Sequence, residues 1–144
     1  MKSKETKGEV ELLKLSGYSD RAIWLYLNRV NVGILEKPDI VETYVDPCGA
    51  VIRLYLAVDK YDVIKDAKFQ SVGCPGVASS ASAMTNLLKG KTTEEAKKIT
   101  EEDLFHELKG LPDSKIDCIG LVLRASREAI ANFEENQTQG PRVL

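Results

Sequence analysis

Residues 50–84, AVIRLYLAVDKYDVIKDAKFQSVGCPGVASSASAM, decide the fold. Ile52, Leu54, Leu56 and Val58 recur at every second position, with Arg53, Tyr55 and Asp59 on the other parity. That is the period of a strand with one buried face. In the continuation DVIKDAKFQSV, Val63, Ala67 and Phe69 form an apolar set against Asp66, Lys68 and Gln70. The link DKYD is short enough for a hairpin between the two strands. At Pro75 the pattern changes. Proline suits the first turn of a helix, where its missing N–H costs nothing, and Gly90 closes a helix running to about Lys89.

Working outward, DIVETYVD (39–46) reads as a further strand, which gives a three-stranded antiparallel meander. Ser19 is placed to N-cap DRAIWLYLNR, with Ile23, Trp24 and Leu27 on one face and Trp24 and Tyr26 expected to dock the helix. NVGILEKP (31–38) reads as a loop. Downstream, Thr92 or Thr93 caps a short helix through Ile99. Thr100 and Asp103 form a capping box for a helix to about Lys109, which Gly110 and Pro112 end. A long helix from near Lys115 to Glu135 offers Ile119, Val122, Leu123, Ile130 and Phe133 for packing. Strands first and helices after make this an α+β fold, a small three-stranded antiparallel sheet packed against several helices in one domain. The domain spans 18–135. Residues 1–17 form an N-terminal extension, helical or flexible, with Val10, Leu12, Leu13 and Leu15 available for packing, and 136–144 form a frayed tail.

Composition narrows the function. At 144 residues the chain supports one sizeable core. A net charge of -2 argues against a nucleic-acid or anionic-membrane surface. No apolar run approaches the ~20 residues of a spanning helix, and the charged start MKSKETKGEVELL lacks the apolar core of a secretion signal. The expected location is cytoplasmic. Three cysteines, an odd number without a CxxC pair, do not form a disulfide framework.

Each cysteine falls at the edge of an expected element: Cys48 in a turn between strands, Cys74 at a strand-to-helix junction, Cys118 near the start of the last helix. Free N–H groups and the macrodipole at a helix start favour an anion, so Cys74 is expected to have a lowered pKa and Cys118 to gain in the same way. Gly73 and Gly76 leave space around the Cys74 sulfur, and the small residues Ala78 to Ala83 let other backbone approach. Three thiolates with no fourth cysteine suit iron–sulfur or zinc chemistry with one open position. Composition alone leaves the other reading open, three unrelated core cysteines.

DPCGAVIRLYLAVDKYDVIKDAKFQSVGCPGVASSASAMTNLLKGKTTEEA, followed by LPDSKIDCIGLVLRASREAI, resembles the NifU N-terminal/IscU iron–sulfur scaffold family, and GYSDRAIWLYLNRVNVG resembles its opening helix and loop. The similarity covers about residues 17 to 133 with the three cysteines in the expected order. It implies the cysteines gathered at one end of the fold. It also implies a non-enzymatic scaffold on which a 2Fe–2S cluster is built from iron and sulfur and passed to apo iron–sulfur acceptor proteins. A cysteine desulfurase would supply the sulfur as persulfide. By the family pattern Cys48, Cys74 and Cys118 carry the cluster, iron or zinc, and a zinc-bearing sulfur acceptor that stimulates the desulfurase is the alternative role.

The chain departs from the pattern at three places. The family's C-G-D is here Cys48-Gly49-Ala50, which removes a carboxylate that serves as a common fourth ligand and eases release. The histidine before the third cysteine is here Asp117, the favoured fourth ligand; Asp46 is the weaker candidate. The chaperone motif L-P-P-V-K survives only as Leu111-Pro112-Asp113-Ser114-Lys115, which puts handover through a DnaK-type chaperone in doubt. Lys115 resembles a family lysine near the site, where a cation lowers thiol pKa values. His106, the only histidine, does not match the family's and reads as a surface or packing residue.

Overall fold

The computed structural model describes residues 4–138. The strand of alternating Ile52, Leu54 and Leu56 is β2 (Val51–Val58), flanked by β1 (Ile40–Val45) and β3 (Ile64–Val72) in an antiparallel sheet of order β1-β2-β3. Ile52, Leu54 and Leu56 are buried on its inner face beside Ile40, Ala67 and Phe69, while Val41, Val45 and Val72 stay exposed on the other. The phase of β3 differs from the sequence expectation at its start. Ile64, not Val63, is the buried residue, because the pairing shifts register at Ala57/Val58, where Ala57 faces Asp66 but Val58 faces Ile64.

Helix α1 spans Lys4–Leu15 and α2 spans Asp20–Leu27. Of the apolar residues expected to dock α1, only Leu13 is buried and Val10 half-buried; Leu12 and Leu15 face solvent. Ser19 caps α2 by accepting the Ala22 N–H, as expected. The buried face of α2 is Ala22, Ile23 and Leu25. Trp24, expected to dock the helix, is half exposed, with Arg21 stacked on its ring at 5.4 Å. Helix α3 (Pro75–Leu88) is the central element. Its small residues are buried nearly throughout, which lets it pack against β3, α2 and two later helices at once. Its hydroxyls fold back on backbone: Ser79 donates to Pro75 O at 2.7 Å, Ser82 to Val30 O at 2.8 Å, and Thr85 to Ala81 O at 2.9 Å.

Helix α4 (Thr93–Lys97) opens on a complete Thr92/Glu95 capping box, and α5 (Glu101–Leu108) on the Thr100/Asp103 box. A 3₁₀ turn, Asp113–Lys115, leads into α6 (Asp117–Thr138), which lies on α3, β1 and β2. The last helix therefore starts two residues later than expected and carries three residues of the expected tail; 139–144 lie outside the described residues. The result is two layers, the sheet and the helices that cover its inner face. No described helix is long and apolar enough to cross a membrane.

Candidate metal centre

The sheet register fixes where two of the cysteines go. Val45, Val51 and Val72 sit side by side across the three strands. The β1–β2 turn with Cys48 and the β3–α3 junction with Cys74 therefore leave the sheet at the same end. The start of α6 completes the group, with Cys118 Sγ 3.9 Å from Cys74 Sγ. All three cysteines line one open cleft of about 750 Å³ with Ala50, Lys115 and Asp117. Cys48 is exposed, while Cys74 and Cys118 are half-buried and carry no disulfide. Among the described residues, no three Cys, His, Asp or Glu groups stand close enough together to enclose a metal ion. The pair is formed, and Cys48 stands across the cleft from it.

Gly76 leaves space around the Cys74 sulfur as the sequence suggests, whereas Gly73 leaves space for Val77 instead. A Cβ on Gly76 would lie 3.1 Å from Cys118 Sγ, 3.2 Å from Lys115 Cβ and 3.4 Å from Cys74 Sγ. A side chain there would force both sulfurs and the lysine stem to give by a few tenths of an ångström. Gly73 is packed by Val77 at 3.2 Å. Gly49, at φ 99°, makes the turn after Cys48.

Cys74 is the N-cap residue of α3, with φ −87° and ψ 171°. Burial pushes its thiol up, but the N–H groups of Val77 and Gly76, the Cys118 thiol and the Lys115 ammonium outweigh burial and hold it below the ordinary thiol range. Cys118 goes the other way. Burial, then the charge on Cys74, pushes it up to about 12 against the opposing pull of Lys115. The expectation that its helix start would lower Cys118 is corrected. Two thiols 3.9 Å apart cannot both ionise cheaply, and the one better supplied with N–H donors takes the charge. In the free protein Cys74 ionises before Cys118.

Asp46 lines the cleft too, with both carboxylate oxygens engaged in hydrogen bonds. Its Oδ2 accepts the Cys48 N–H at 3.1 Å, and its Oδ1 accepts from Tyr44 Oη at 3.2 Å and Arg124 Nη2 at 3.3 Å. The bonds from Cys48, Arg124 and Tyr44 outweigh burial and hold its carboxyl down at about 2. Asp117, at the first turn of α6, is exposed and faces the cleft. Ala50 is buried, 6% exposed, and contributes no donor. Leu111 is buried and Pro112 half-buried, with Pro112 O closing the 3₁₀ turn through the Lys115 N–H at 2.8 Å. His106 is solvent-exposed beside Glu102, as expected, and takes no part in the cleft.

Three participants have no signal in the sequence. Tyr18 is buried, and burial followed by the neighbouring Cys74 and Cys118 raises its hydroxyl to about 12, so it stays a neutral wall beside the pair. Tyr44 and Arg124 hold the Cys48 turn from β1 and α6. Arg124 lies 78 residues from Asp46, which leaves no local spacing to read.

The geometry defines an α+β domain that gathers three thiols from three element boundaries onto one open cleft. Residues 17–140 match the family model for the NifU-like N-terminal domain. The chain is 40% identical over 117 residues to an iron–sulfur cluster assembly scaffold protein, IscU 1, of Archaeoglobus fulgidus, covering 81% of this chain and 76% of that one. It is 39% identical over 124 residues to the protein of the same name, IscU, from Haemophilus influenzae, covering 83% and 98%. The fold matches the crystal structure of a NifU-like N-terminal protein from Brucella abortus with a TM-score of 0.67 at 21% identity, covering 83% of this chain and 96% of that one. This chain belongs to the NifU N-terminal/IscU family.

Proposed function

We propose that this protein is an iron–sulfur cluster assembly scaffold. It receives iron and sulfur, holds a transient 2Fe–2S cluster on Cys48, Cys74 and Cys118, and passes it to apo iron–sulfur acceptor proteins. The observation that carries the reading is the convergence of the three cysteines on one cleft, two of them with sulfurs 3.9 Å apart. The relatives' names as assembly scaffolds support it. The protein turns over no small molecule in this role. Its cargo is the metal and sulfide it carries.

The order of capture follows from the thiols. Cys74, already biased to thiolate, is the first ligand, because the thiolate is the form that binds metal. A cation bound there removes the repulsion from Cys74 that adds to burial in keeping Cys118 protonated, so the Cys118 proton passes to solvent as the second Fe–S bond forms. Cys48 closes from the exposed side. Asp117 is the fourth donor this chain offers, since Asp46 is committed to the turn and Ala50 has none. Without the carboxylate at 50, the cluster is held longer.

Sulfur reaches the cleft as persulfide from a cysteine desulfurase, the open side at Cys48 is where the donor approaches, and an external electron donor supplies the two electrons that reduce each sulfane sulfur to the sulfide of the cluster. The same three thiolates with one open position also suit zinc. A zinc-bearing sulfur acceptor is therefore the second reading. Metal and sulfide content after anaerobic purification separates the two. Iron with acid-labile sulfide supports the scaffold; stoichiometric zinc, strong desulfurase stimulation and no cluster uptake overturn it.

A further inference from the structure

Cys48 differs from the other two cysteines in having no apolar packing to hold it. It is exposed, and a Cβ on its neighbour Gly49 would meet nothing within 4 Å. Polar bonds do the holding. The Asp46 carboxylate accepts the Cys48 N–H, and the turn is closed by Asp46 N–H to Ala50 O at 2.9 Å and Gly49 N–H to Asp46 O at 2.8 Å. Those bonds shape the turn, and the Val45–Val51 pairing and buried Ala50 hold its ends. What ties it to the body of the protein at its Asp46 side chain is Arg124 on α6. Arg124 donates from Nη2 to Asp46 Oδ1 at 3.3 Å and from Nε to Tyr44 Oη at 3.1 Å, and Tyr44 Oη in turn donates to Asp46 Oδ1 at 3.2 Å.

A second observation shows that α6 makes room for this arginine. A Cβ on Gly120, one turn before Arg124, would lie 3.4 Å from Arg124 Nη1 and 3.3 Å from Glu101 Oε1. The bare backbone at 120 lets the guanidinium lie along the helix toward the turn. Arg124 is also on the same helix as Cys118. One rigid element thus carries one cysteine of the pair and anchors the turn that bears the third.

We propose that Arg124 is the positioning residue for Cys48, a strut from α6 through Asp46 that keeps the third thiol within reach of the Cys74–Cys118 pair. The inference rests on the reading of Cys48 as a cargo ligand. Rotation of the Cys48 side chain then closes the site, while the turn backbone stays fixed. Without the strut the turn moves as a loop, and the third thiolate is present only part of the time. Outer-sphere partners of this kind are worth about 10–100-fold in metal affinity.

Cobalt(II) titration of the anaerobic, metal-free protein tests this without any cluster chemistry, because the thiolate-to-cobalt charge-transfer band scales with the number of bound thiolates. Wild type is compared with Cys48→Ser, Arg124→Gln, Arg124→Lys and the double variant Arg124→Gln/Cys48→Ser. Tyr44→Phe is a milder probe of the same network. We expect Arg124→Gln to weaken cobalt binding about 10-fold or more and to lower the band toward that of Cys48→Ser. The double variant should be no worse than Cys48→Ser alone, Arg124→Lys should recover part of the loss, and Tyr44→Phe should fall between wild type and Arg124→Gln. Full-strength cobalt binding by Arg124→Gln, with Cys48→Ser impaired, overturns the strut and leaves the three-cysteine site standing. An unimpaired Cys48→Ser overturns both. Thermal melting of each variant separates loss of the strut from loss of the fold: a band lowered only in variants that no longer melt cooperatively counts against the proposal.

Discussion

The Cys74–Cys118 pair and the Cys48 turn sit on the same cleft but are built by opposite means. The pair is held by packing. Its sulfurs lie where α3, α6 and the 3₁₀ turn meet, around a glycine that leaves no spare room. The Cys48 turn is held by hydrogen bonds and one ion pair, half-open to solvent, with the Arg124 side chain 56% and the Asp46 side chain 10% exposed. Packing interactions are insensitive to salt and local; a partly exposed ion pair is weak, screened and easily exchanged. The difference suits a carrier. Under the proposed function, two ligands are fixed by packing, and the third rides on a turn that polar bonds hold in place while its own exposed side chain stays free to rotate.

The comparison breaks most sharply at Gly76. Gly76→Val drives a side chain between Cys118, Cys74 and Lys115, and metal binding by the anaerobic protein should be lost outright. Gly76→Ala, a smaller intrusion, should lower cobalt affinity about 10-fold or more. Wild-type affinity in Gly76→Val would mean that the pair is not the rigid half of the site. Next in size is Ala50→Asp, which puts a carboxylate beside Cys48 at a buried position on the cleft. Transfer of a reconstituted cluster to an apo-ferredoxin should speed up; equal rates for both proteins would refute the claim that the missing carboxylate prolongs retention.

Alkylation sharpens the same contrast in the free protein. At neutral pH the exposed Cys48 and the thiolate-biased Cys74 should label well before Cys118, whose thiol stays protonated up to about 12. The sign is fixed by linkage to Cys74. Once Cys74 is replaced by serine, the neighbouring negative charge is gone and Cys118 should label faster than in wild type. Labelling of Cys118 ahead of the others, followed by peptide mass spectrometry, would contradict the assigned roles. The smallest effect belongs to the packing half. The Ser80 and Ser126 hydroxyls are buried without a hydrogen-bond partner among the described residues. Ser80→Ala and Ser126→Ala should leave the melting midpoint unchanged or slightly raised, since each removes an unsatisfied buried group. A fall of several degrees would mean that those hydroxyls are bonded.

The packing half was the legible half. The alternation of Ile52, Leu54 and Leu56, the proline after Cys74 and the two threonine capping boxes each act within a few residues, so sequence shows them directly. Trp24 misled because a helical period permits two faces and chooses neither; the residues that reached the core are Ala22, Ile23 and Leu25. Val63 misled because a register shift in the partner strand changed the phase of β3. The polar half was hidden. Asp46 and Arg124 are 78 residues apart, and neither belongs to a motif. The rise of Cys118 was hidden too, since a helix start argues for the opposite shift, and it is burial and then the packed neighbour at 3.9 Å that reverse it.

The central claim is that these three thiols hold an iron–sulfur cargo together. Anaerobic reconstitution with ferrous iron and sulfide tests it most directly, with wild type compared against single serine variants of Cys48, Cys74 and Cys118. The account predicts a visible charge-transfer spectrum with iron and acid-labile sulfide in equal amounts for wild type, and loss of that spectrum in Cys74→Ser. A Cys74→Ser protein with unchanged absorbance, or a wild type that takes up no cluster, would contradict it.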